Sequence, residues 1–328
     1  MIYMTTSSND PTWNLAFEEY CLTNIAKEEQ ILLLWQNDHS VIVGRYQNIA
    51  AEIDVETAKK LGVKVVRRST GGGAVYHDLG NLNYSLISPC PDPSQLNLAD
   101  ISAPILHALQ SAGIPVIASG RNDLLLNGKK ISGTAQTLQN GHLLHHGTLL
   151  YNSDLSVLAQ VLKPDPEKLK SKGITSVKSR VCNIKQEMGW DLDISEFWNL
   201  LLKGFGSLQD YQLSDEDLKG IARLQKEKYA AWDWTVWEPE CTYLNEQRFP
   251  EGKLSLAVTV KRGIIRECRI SGDFLGLTDI RPLENALCGC SFDPDSVKDK
   301  FSAFPLSLYL GGISSEQFIQ CMFRQVTA

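Results

Sequence analysis

The sequence predicts an α+β protein with a large domain built on a mixed β-sheet, followed by a small α/β domain. The chain has 328 residues, more than a single hydrophobic core usually organises, so two domains are expected. Helical periodicity alternates with short apolar runs, several of them joined by hairpin-like turns, which favours a mixed sheet. Glu238-Pro239-Glu240 has the composition of a linker, and we place the boundary beside it, giving domains of residues 1–242 and 243–328.

The first domain is predicted to begin with a helix that starts at Pro11. Asp10 is a favourable N-cap, proline suits the first helical position, and apolar side chains recur at helical spacing up to Cys21. Apolar runs and helix breakers predict the elements that come next. These are strands at 31–35 and 40–43 around an Asn37-Asp38 turn, and helices at 54–61, 101–112 and 154–162.

A β-hairpin is predicted around Asn127-Gly128, a dipeptide that favours tight turns between strands. If the second strand alternates from Lys129, then Lys130 points to the opposite side from Lys129 and Ile131. One of the two lysines is then free to face a site while the other faces solvent; two solvated edge-strand lysines are the alternative. The histidine-rich segment 142–150 is predicted to be a loop followed by a strand.

The second domain is predicted to contain strands at 253–260 and 264–270, which alternate around a turn at 261–263. Helices are expected at 295–303 and 315–325. The tryptophan-rich segment before the linker, 232–237, is interpreted as a buried strand or domain seam rather than as a binding platform.

The most informative stretch is 66–85, in which three consecutive glycines, Gly71 to Gly73, lie between apolar runs. Glycine allows backbone conformations closed to other residues, so N–H groups here can approach a ligand and form an anion-binding concavity. Arg67 or Arg68 could fork onto a phosphate or a carboxylate. No Gly-x-x-x-x-Gly-Lys-Ser/Thr loop is present and the three glycines do not fit Gly-x-Gly-x-x-Gly, which argues against an ordinary NTPase or dinucleotide-binding domain.

Composition restricts the classes of function. The formal net charge is −6, which argues against broad nucleic-acid binding, where a basic patch is expected. No apolar run approaches the ~18 residues of a membrane helix, and the N-terminus has neither the basic nor the apolar region of a signal peptide. Eight irregularly spaced cysteines suggest reduced thiols, and Cys288-Gly-Cys290 is interpreted as structural rather than as a metal site. We therefore expect a cytoplasmic protein that binds neither nucleic acid nor a membrane.

Seven motifs in order make the chain resemble the lipoate–protein ligases, members of the biotin/lipoate protein ligase superfamily. They are Asn14 to Glu19, Val43 to Asn48, Arg67 to Asn81, Gly120 to Asp123, Gly128 to Gly133, His145 to Leu150 and Lys172 to Asn183. The resemblance implies the fold of class II synthetases and biotin ligases for the first domain. It also implies that the second is an accessory domain that hinges against the first.

The resemblance implies a two-step reaction that uses ATP and Mg²⁺. The carboxylate of lipoate attacks the α-phosphate of ATP, pyrophosphate leaves, and lipoyl-AMP then acylates a lysine of a carrier domain. Because the first step joins two anions, a cation must bridge them, and Lys130 matches the family lysine in that role. The carriers implied are lipoyl domains of 2-oxoacid dehydrogenase E2 subunits, the glycine cleavage H protein, or both. The sequence leaves that choice open, as it does the choice between lipoate and octanoate.

The resemblance also implies a set of substrate- and nucleotide-binding residues. Arg68 matches an arginine of the substrate-binding loop, Gly73 to Tyr76 match the backbone that lines the nucleotide, and Asp123 is expected near the adenine or the metal. Segment 172–183 resembles a mobile loop that shields the adenylate from water. The full set is Arg68, Thr70, Gly71, Gly72, Gly73, Ala74, Val75, Tyr76, Asn81, Asp123, His146, Thr148, Ser176, Lys178 and Arg180.

Other functions are weighed against this one. An ATP-independent octanoyl or lipoyl transferase needs an activated thiol, and the nearest candidates, Cys90 and Cys182, lie outside the glycine, hairpin and histidine clusters. A non-catalytic carrier-binding homologue is disfavoured by the intact Lys130 and glycine loop. A biotin ligase is disfavoured because its Gly-Arg-Gly-Arg loop is absent. No general base is evident, since His77 and His146 qualify by residue type alone.

Overall fold

The computed structural model describes residues 1–93, 96–120, 122–163, 181–235 and 241–323. The strands are β1 (Ile2–Thr5), β2 (Ile31–Trp35), β3 (Ser40–Val43), β4 (Lys64–Arg67), β5 (Val75–His77), β6 (Asn81–Pro89), β7 (Val116–Ser119), β8 (Asp123–Leu126), β9 (Lys129–Gln139), β10 (His142–Leu150), β11 (Gln209–Asp210), β12 (Tyr243–Phe249), β13 (Gly252–Lys261) and β14 (Ile264–Gly272). The helices are α1 (Pro11–Tyr20), α2 (Ile49–Glu52), α3 (Val55–Lys60), α4 (Leu98–Ser111), α5 (Val157–Val161), α6 (Ile184–Met188), α7 (Ile194–Gly204), α8 (Asp215–Leu224), α9 (Trp232–Thr235), α10 (Arg281–Leu287), α11 (Pro294–Phe301), α12 (Leu306–Leu310) and α13 (Ser315–Met322). Single π-helical turns, Cys21–Ile25 and Gln225–Tyr229, extend α1 and α8.

The first domain is built on two mixed sheets. Within the described part of the chain, eight strands form a large sheet in the order β11-β1-β2-β6-β10-β9-β8-β7. Strand β1 is parallel to both neighbours, and the other neighbours in the sheet are antiparallel. In the small sheet, β3 lies between β4, to which it is parallel, and β5, to which it is antiparallel. The predicted α+β class with a mixed sheet is confirmed.

Helices cover both faces of the large sheet, which explains why β2 is a continuous apolar run. Leu32 and Leu34 pack on one face in a core shared with α4 and α7. Ile31, Leu33 and Trp35 pack on the other face in a core shared with α1 and α8. A strand that is buried on both sides has no solvent-facing positions, so apolar and polar residues do not alternate.

The N-terminal elements agree with the sequence in position but not in how they pair. Helix α1 begins at Pro11, and the Asp10 side chain accepts a hydrogen bond from the Thr12 N–H at 3.0 Å. Strands β2 and β3 have the predicted bounds, yet they belong to different sheets. The turn at Asn37-Asp38 therefore carries the chain from one sheet to the other.

Two predictions of local structure are wrong. Segment 142–150 is strand β10 throughout rather than loop and strand, because His142 already pairs with β6 and β9. The turn lies just before it, at Asn140 and Gly141, which both have positive φ. Residues 232–235 of the tryptophan-rich segment form helix α9 rather than a strand. Trp232 is 64% exposed, while Trp234 donates its indole N–H to the Arg67 carbonyl at 2.9 Å. Residues 236–240, with the predicted linker, lie outside the described residues.

The C-terminal part is an antiparallel sheet, β12-β13-β14, packed against α10 to α13 around a second core. The turn between β13 and β14 falls where it was predicted, with Arg262 and Gly263 at positive φ. Strand β12 and helices α10 and α12 were not predicted from the sequence.

The segment that follows β14 docks on the first domain. Phe274 stacks on Tyr46 of the first domain, with ring centroids 5.0 Å apart, and its carbonyl accepts a hydrogen bond from Gly72 N–H at 3.1 Å. The Leu277 carbonyl accepts a hydrogen bond from the Leu138 N–H on β9 at 2.5 Å. The C-terminal domain is therefore in direct contact with the glycine loop.

A helix that crosses a membrane must be long and apolar. Across the ranges that the structure describes, no helix is both long enough and apolar enough for this.

Candidate active site

One row of opposed residues crosses the large sheet. Trp35 on β2 lies opposite Asn83 on β6, which lies opposite Thr148 on β10. Thr148 Oγ1 accepts a hydrogen bond from the Gly133 N–H on β9 at 3.3 Å, and Gly133 lies opposite Asp123 on β8. Because neighbouring strands are about 4.8 Å apart, the row extends roughly 14 Å from β2 to β9.

A cavity lies over this row, between the large and the small sheet. Leu15, Trp35 and Ile42 give one end an apolar lining, and Lys130 lies at the other end. The rest of the lining is formed by Arg68, Gly72, Gly73, Ala74, Val75, His77, Asn83, Asn122, Gly133, Thr134, Ala135, His146, Gly147 and Thr148. The structure thus brings eight residues of the predicted site together: Arg68, Gly72, Gly73, Ala74, Val75, Lys130, His146 and Thr148.

Lys130 forms an ion pair with Asp123, with 2.6 Å between Nζ and Oδ1. Both side chains are about one-third exposed, at 34% and 37%, so they lie where the cavity opens. A Cβ on Gly133 would come within 3.1 Å of Lys130 Nζ, so glycine at this position leaves room for the ammonium. Lys129 instead pairs with Glu187 at 3.0 Å, away from the cavity. The two lysines therefore have separate partners, as strand alternation predicts.

The glycine loop approaches other backbone closely. A Cβ on Gly71 would lie 2.5 Å from the Phe274 carbonyl oxygen, and a Cβ on Gly44 would lie 1.9 Å from that of Gly72. Gly72 has φ of 91°, a conformation that strains other residues. A Cβ on Gly73, by contrast, would meet no heavy atom within 4 Å. Of the three loop glycines, Gly73 alone combines open space with a position on the cavity.

This difference gives a testable prediction for two valine variants. Gly73→Val should weaken binding of the ligands that the sequence resemblance implies, lipoate and ATP, without lowering the melting temperature, because its side chain enters open cavity space. Gly72→Val should destabilise the fold by roughly 1–3 kcal/mol, since a β-branched residue is strained at positive φ. Calorimetric titration and thermal denaturation of both variants test this. Unchanged affinities in Gly73→Val would show that the glycine loop does not line the binding site.

Arg68 shapes the glycine loop through its own side chain. Its Nη2 donates to the carbonyls of Gly71 at 2.6 Å and Gly73 at 2.9 Å, its Nη1 to that of Ile42 at 3.1 Å, and its Nε to Thr70 Oγ1 at 2.9 Å. Burial lowers the pKa of Arg68 to about 10, which leaves the guanidinium charged at neutral pH. From the sequence, this guanidinium could bind a phosphate or carboxylate of a ligand. In the structure it donates instead to carbonyls of the glycine loop.

Arg67 likewise binds backbone rather than pointing into the cavity. Its Nη1 donates to the carbonyls of Gly44, Arg45 and Gln47 at 2.7–2.8 Å, and its Nη2 donates to that of Thr235 at 2.8 Å. This fork ties the segment after β3 to helix α9.

A buried hydrogen-bonded relay runs from α1 to the glycine loop. Glu18, only 1% exposed, accepts hydrogen bonds from Ser85 Oγ at 2.5 Å and from His146 Nδ1 at 2.8 Å. His146 Nε2 lies 2.8 Å from Thr70 Oγ1, and Thr70 Oγ1 accepts a hydrogen bond from Arg68 Nε. Glu18 was missed as a site residue by the sequence reasoning. The Asn14 to Glu19 motif was its only signal.

Two further histidines on the sheets are buried and neutral. Burial lowers the pKa of His77 and His145 to about 3, with smaller contributions from Arg68 at His77 and from His146 at both. An unfolded chain takes up protons on both below pH ~6.5. The stabilisation is therefore complete above that pH and is lost as the pH falls from about 6.5 towards 3.

We expect the free energy of unfolding in urea to be roughly 2 kcal/mol lower at pH 5.5 than at pH 7.5. Ordinary carboxylates titrate below this window and contribute little to the difference. His145→Gln should lose about half of this pH dependence, and an unchanged dependence in that variant would contradict the assignment.

Several predicted residues lie beside the cavity rather than on it. Tyr76 is buried in another core, and its hydroxyl is 2.6 Å from His39 Nδ1. Asn81 donates a hydrogen bond to Asn83 at 2.9 Å. Thr70 contacts Arg68 and His146, and Gly71 lies against the backbone of Phe274. Ser176, Lys178 and Arg180, in the segment predicted to be a mobile loop, lie outside the described residues.

The cysteines bear on the thioester alternative. No cysteine of the described ranges lines the cavity. Burial raises the pKa of Cys90 and of Cys182, which is the opposite of what an activated thiol requires.

Comparison with protein families gives two matches that together extend over most of the chain. Residues 10–206 match the lipoyl protein ligase A/B catalytic domain, and residues 238–322 match the bacterial lipoate protein ligase C-terminus. Among curated proteins, the lipoate-protein ligase LplJ of Bacillus subtilis is 38% identical over 322 residues, 96% of this chain and 97% of that protein. Lipoate–protein ligase 1 of Staphylococcus aureus is 41% identical over 317 residues, 95% and 97% of the two chains.

Solved structures give the same result. The P. falciparum LipL1 structure in complex with lipoate superposes with a TM-score of 0.76 at 26% identity, covering 92% of this chain and 94% of that one. A lipoate-protein ligase A bound with ATP gives a TM-score of 0.60 at 26% identity, covering 71% and 96%. A bipartite lipoate protein ligase from Thermoplasma acidophilum, described with its E2 lipoyl domain, gives 0.64 at 29% identity, covering 73% and 97%.

Proposed function

This chain belongs to the lipoyl protein ligase family, and from that premise we propose that it is an ATP-dependent lipoate–protein ligase. The family predicted from the motifs is confirmed by matches to both domains. One observation carries the proposal: a cavity with an apolar end at Trp35 opens towards Lys130, about 14 Å away across the sheet. An acid with an apolar tail can place the tail at Trp35 and the carboxylate at the ammonium.

In the first step, a carboxylate oxygen of lipoate attacks the α-phosphorus of ATP, and the bond to the pyrophosphate oxygen breaks. Both reactants are anions, so the step needs positive charge between them. Lys130 would supply it, because an ammonium can donate to a carboxylate oxygen and a phosphate oxygen together. Lys130 must then exchange Asp123 for substrate oxygens, which its partial exposure permits.

The residues where the cavity opens, Lys130 and Asp123, are compatible with Mg²⁺ as the cofactor of this step. Mg²⁺ is usually held by one or two carboxylates together with substrate phosphates, and Asp123 presents a partly exposed carboxylate beside Lys130. Bound there, Mg²⁺ would neutralise charge on the phosphate oxygens. Asp123 would hold the metal once Lys130 has turned to the substrates.

In the second step, the amine of a carrier lysine attacks the lipoyl carbonyl and AMP leaves. The amine must lose a proton for this, and the buried Glu18–His146 pair already bonds within the protein, so neither is assigned as the base. We propose lipoyl domains of E2 subunits, the glycine cleavage H protein, or both as acceptors. The T. acidophilum ligase described with its E2 lipoyl domain supports the first.

The thioester transferase is disfavoured, because no cysteine of the described residues lines the cavity. All eight cysteines are free thiols, which accords with a cytoplasmic location. That location stays a prediction.

Pyrophosphate release from ATP labelled in its γ-phosphate tests the proposal, with lipoate present and no acceptor protein. A ligase should form stoichiometric pyrophosphate and enzyme-bound lipoyl-AMP. The matched control replaces ATP and lipoate with an octanoylated carrier domain as donor and adds an unmodified carrier domain, whose lysine is the acceptor. Acyl transfer from that donor, without pyrophosphate release in the first experiment, would favour the transferase.

A further inference from the structure

His77 lies at the apolar end of the cavity, away from Lys130. It is 4% exposed and lines the cavity. Its ring packs edge-on against Trp35, with centroids 6.3 Å apart and an angle of 68° between the planes. A polar ring thus faces the region where an acyl chain would end.

The hydrogen bonds around His77 determine which ring nitrogen carries the proton. Asn14 Nδ2 donates to the carbonyls of Ser8 at 2.9 Å and Gln36 at 2.7 Å, which identifies that atom as the nitrogen. The Asn37 atom 3.0 Å from this nitrogen is Oδ1, because an amide nitrogen there would set one donor against another. The other side-chain atom of Asn37 is therefore its nitrogen. Asn37 Nδ2 lies 3.0 Å from His77 Nδ1. Nδ1 must therefore accept, and the neutral ring carries its proton on Nε2.

The Nε2–H of His77 is buried and has no partner among the described residues. A buried donor without a partner is unfavourable. The side-chain nitrogen of Asn83, beside Trp35 in the row, is also buried and has no partner within the described ranges. The apolar end of the cavity therefore contains two polar groups that a purely hydrocarbon ligand would leave unpaired.

We propose that His77 is a specificity-determining residue that donates a hydrogen bond from Nε2 to a ring sulfur of lipoate. The proposal rests on the ligase function above and adds the choice between lipoate and octanoate, which the sequence left open. Octanoate ends in a methyl group and leaves the donor unpaired, whereas the dithiolane ring offers sulfur acceptors at the same end. Sites with a buried donor discriminate against analogues that lack its acceptor.

The test compares lipoate with 5-cyclopentylpentanoate, which has a five-membered ring on the same chain but no sulfur. Calorimetric titration without ATP should show lipoate binding about tenfold more tightly to the unmodified protein, the scale of one neutral hydrogen bond. In His77→Phe, which keeps a planar ring against Trp35, the ratio of the two affinities should fall to between one and three. Sulfur contacts with Trp35 persist in this variant, so the change in ratio isolates His77.

Ile42→Val is the matched control, because it alters the same end of the cavity without touching a polar group. It should weaken both ligands and leave their ratio unchanged. An unchanged ratio in His77→Phe, or equal affinities in the unmodified protein, would overturn the proposal.

A second measurement uses only the unmodified protein, so it does not depend on whether a variant folds. The ¹⁵N and ¹H shifts of His77 in the unmodified protein should show a proton on Nε2, and this proton's resonance should move with lipoate but not with the cyclopentyl analogue. A proton on Nδ1, or the same shift with both ligands, would also overturn it. If neither acid supports pyrophosphate release, the ligase function itself fails; equal use of both acids would reject only the role of His77.

Discussion

Lys130→Ala is expected to abolish lipoyl-AMP formation while the protein remains folded. Removing one charge-stabilising donor raises an activation barrier by at least ~2.7 kcal/mol, about a hundredfold in rate. We propose Lys130 as the cation that bridges carboxylate and phosphate. The ion pair with Asp123 is partly exposed, so its loss should cost less than about 1 kcal/mol of stability. The rate of pyrophosphate release and the melting temperature measure the two effects separately.

Lys129→Ala is the control for this prediction, since it removes the same charge one residue away. Lys129 pairs with Glu187 at the surface and points away from the cavity. Adenylation in this variant should stay within about threefold of normal, the range of small exposed electrostatic effects. Equal damage from both variants, or near-normal adenylation in Lys130→Ala, would overturn the assignment of Lys130.

Arg68→Lys is expected to lower both stability and lipoate affinity, although it keeps the positive charge. The guanidinium holds the carbonyls of Gly71, Gly73 and Ile42, and a lysine with one nitrogen cannot reach all of them. Buried acceptors left without donors cost about 1–3 kcal/mol each, so we expect a loss of roughly 3 kcal/mol. With the loop released, lipoate should bind at least tenfold more weakly.

Arg68→Lys distinguishes two roles that the sequence left open, direct binding of the substrate and shaping of the glycine loop. If Arg68 bound the substrate directly and did not shape the loop, affinity would fall while the urea midpoint stayed constant. Arg281→Lys provides the control, because Arg281 is a largely exposed arginine whose ion pair with Asp279 a lysine can preserve. It should change neither quantity.

Much of the fold and part of the site could be predicted from the sequence because their causes are local. Asp10 and Pro11 define the start of α1 through capping and a fixed φ. Strand alternation separates Lys129 from Lys130, and each is found with a different acidic partner. The predictions that failed depended on distant partners: the histidine-rich segment is a strand from its first residue because β6 and β9 flank it.

The role of Glu18 could not be predicted, although its motif was recognised. A glutamate inside a helix is normally solvated, and its burial depends on Ser85 and His146, which are 67 and 128 residues away in the chain. The same holds for Arg68, because a guanidinium can bind either a ligand anion or backbone carbonyls. Which of these it binds depends on the positions of the Ile42, Gly71 and Gly73 carbonyls in the folded chain.

The sequence by itself identified the family, singled out the glycine loop and led to the proposal of Lys130 as the bridging cation, because these depend on residue types at fixed short spacings. Only the tertiary structure decided the direction of each buried polar group: Arg68 towards its own loop, Glu18 towards His146, and the proton of His77 onto Nε2. Hydrogen bonds are short and directional, so their partners depend on how separate strands are brought together. In this chain, strands β2, β6, β10 and β9 form one row from Trp35 to Gly133, and no local pattern in the sequence specifies that row.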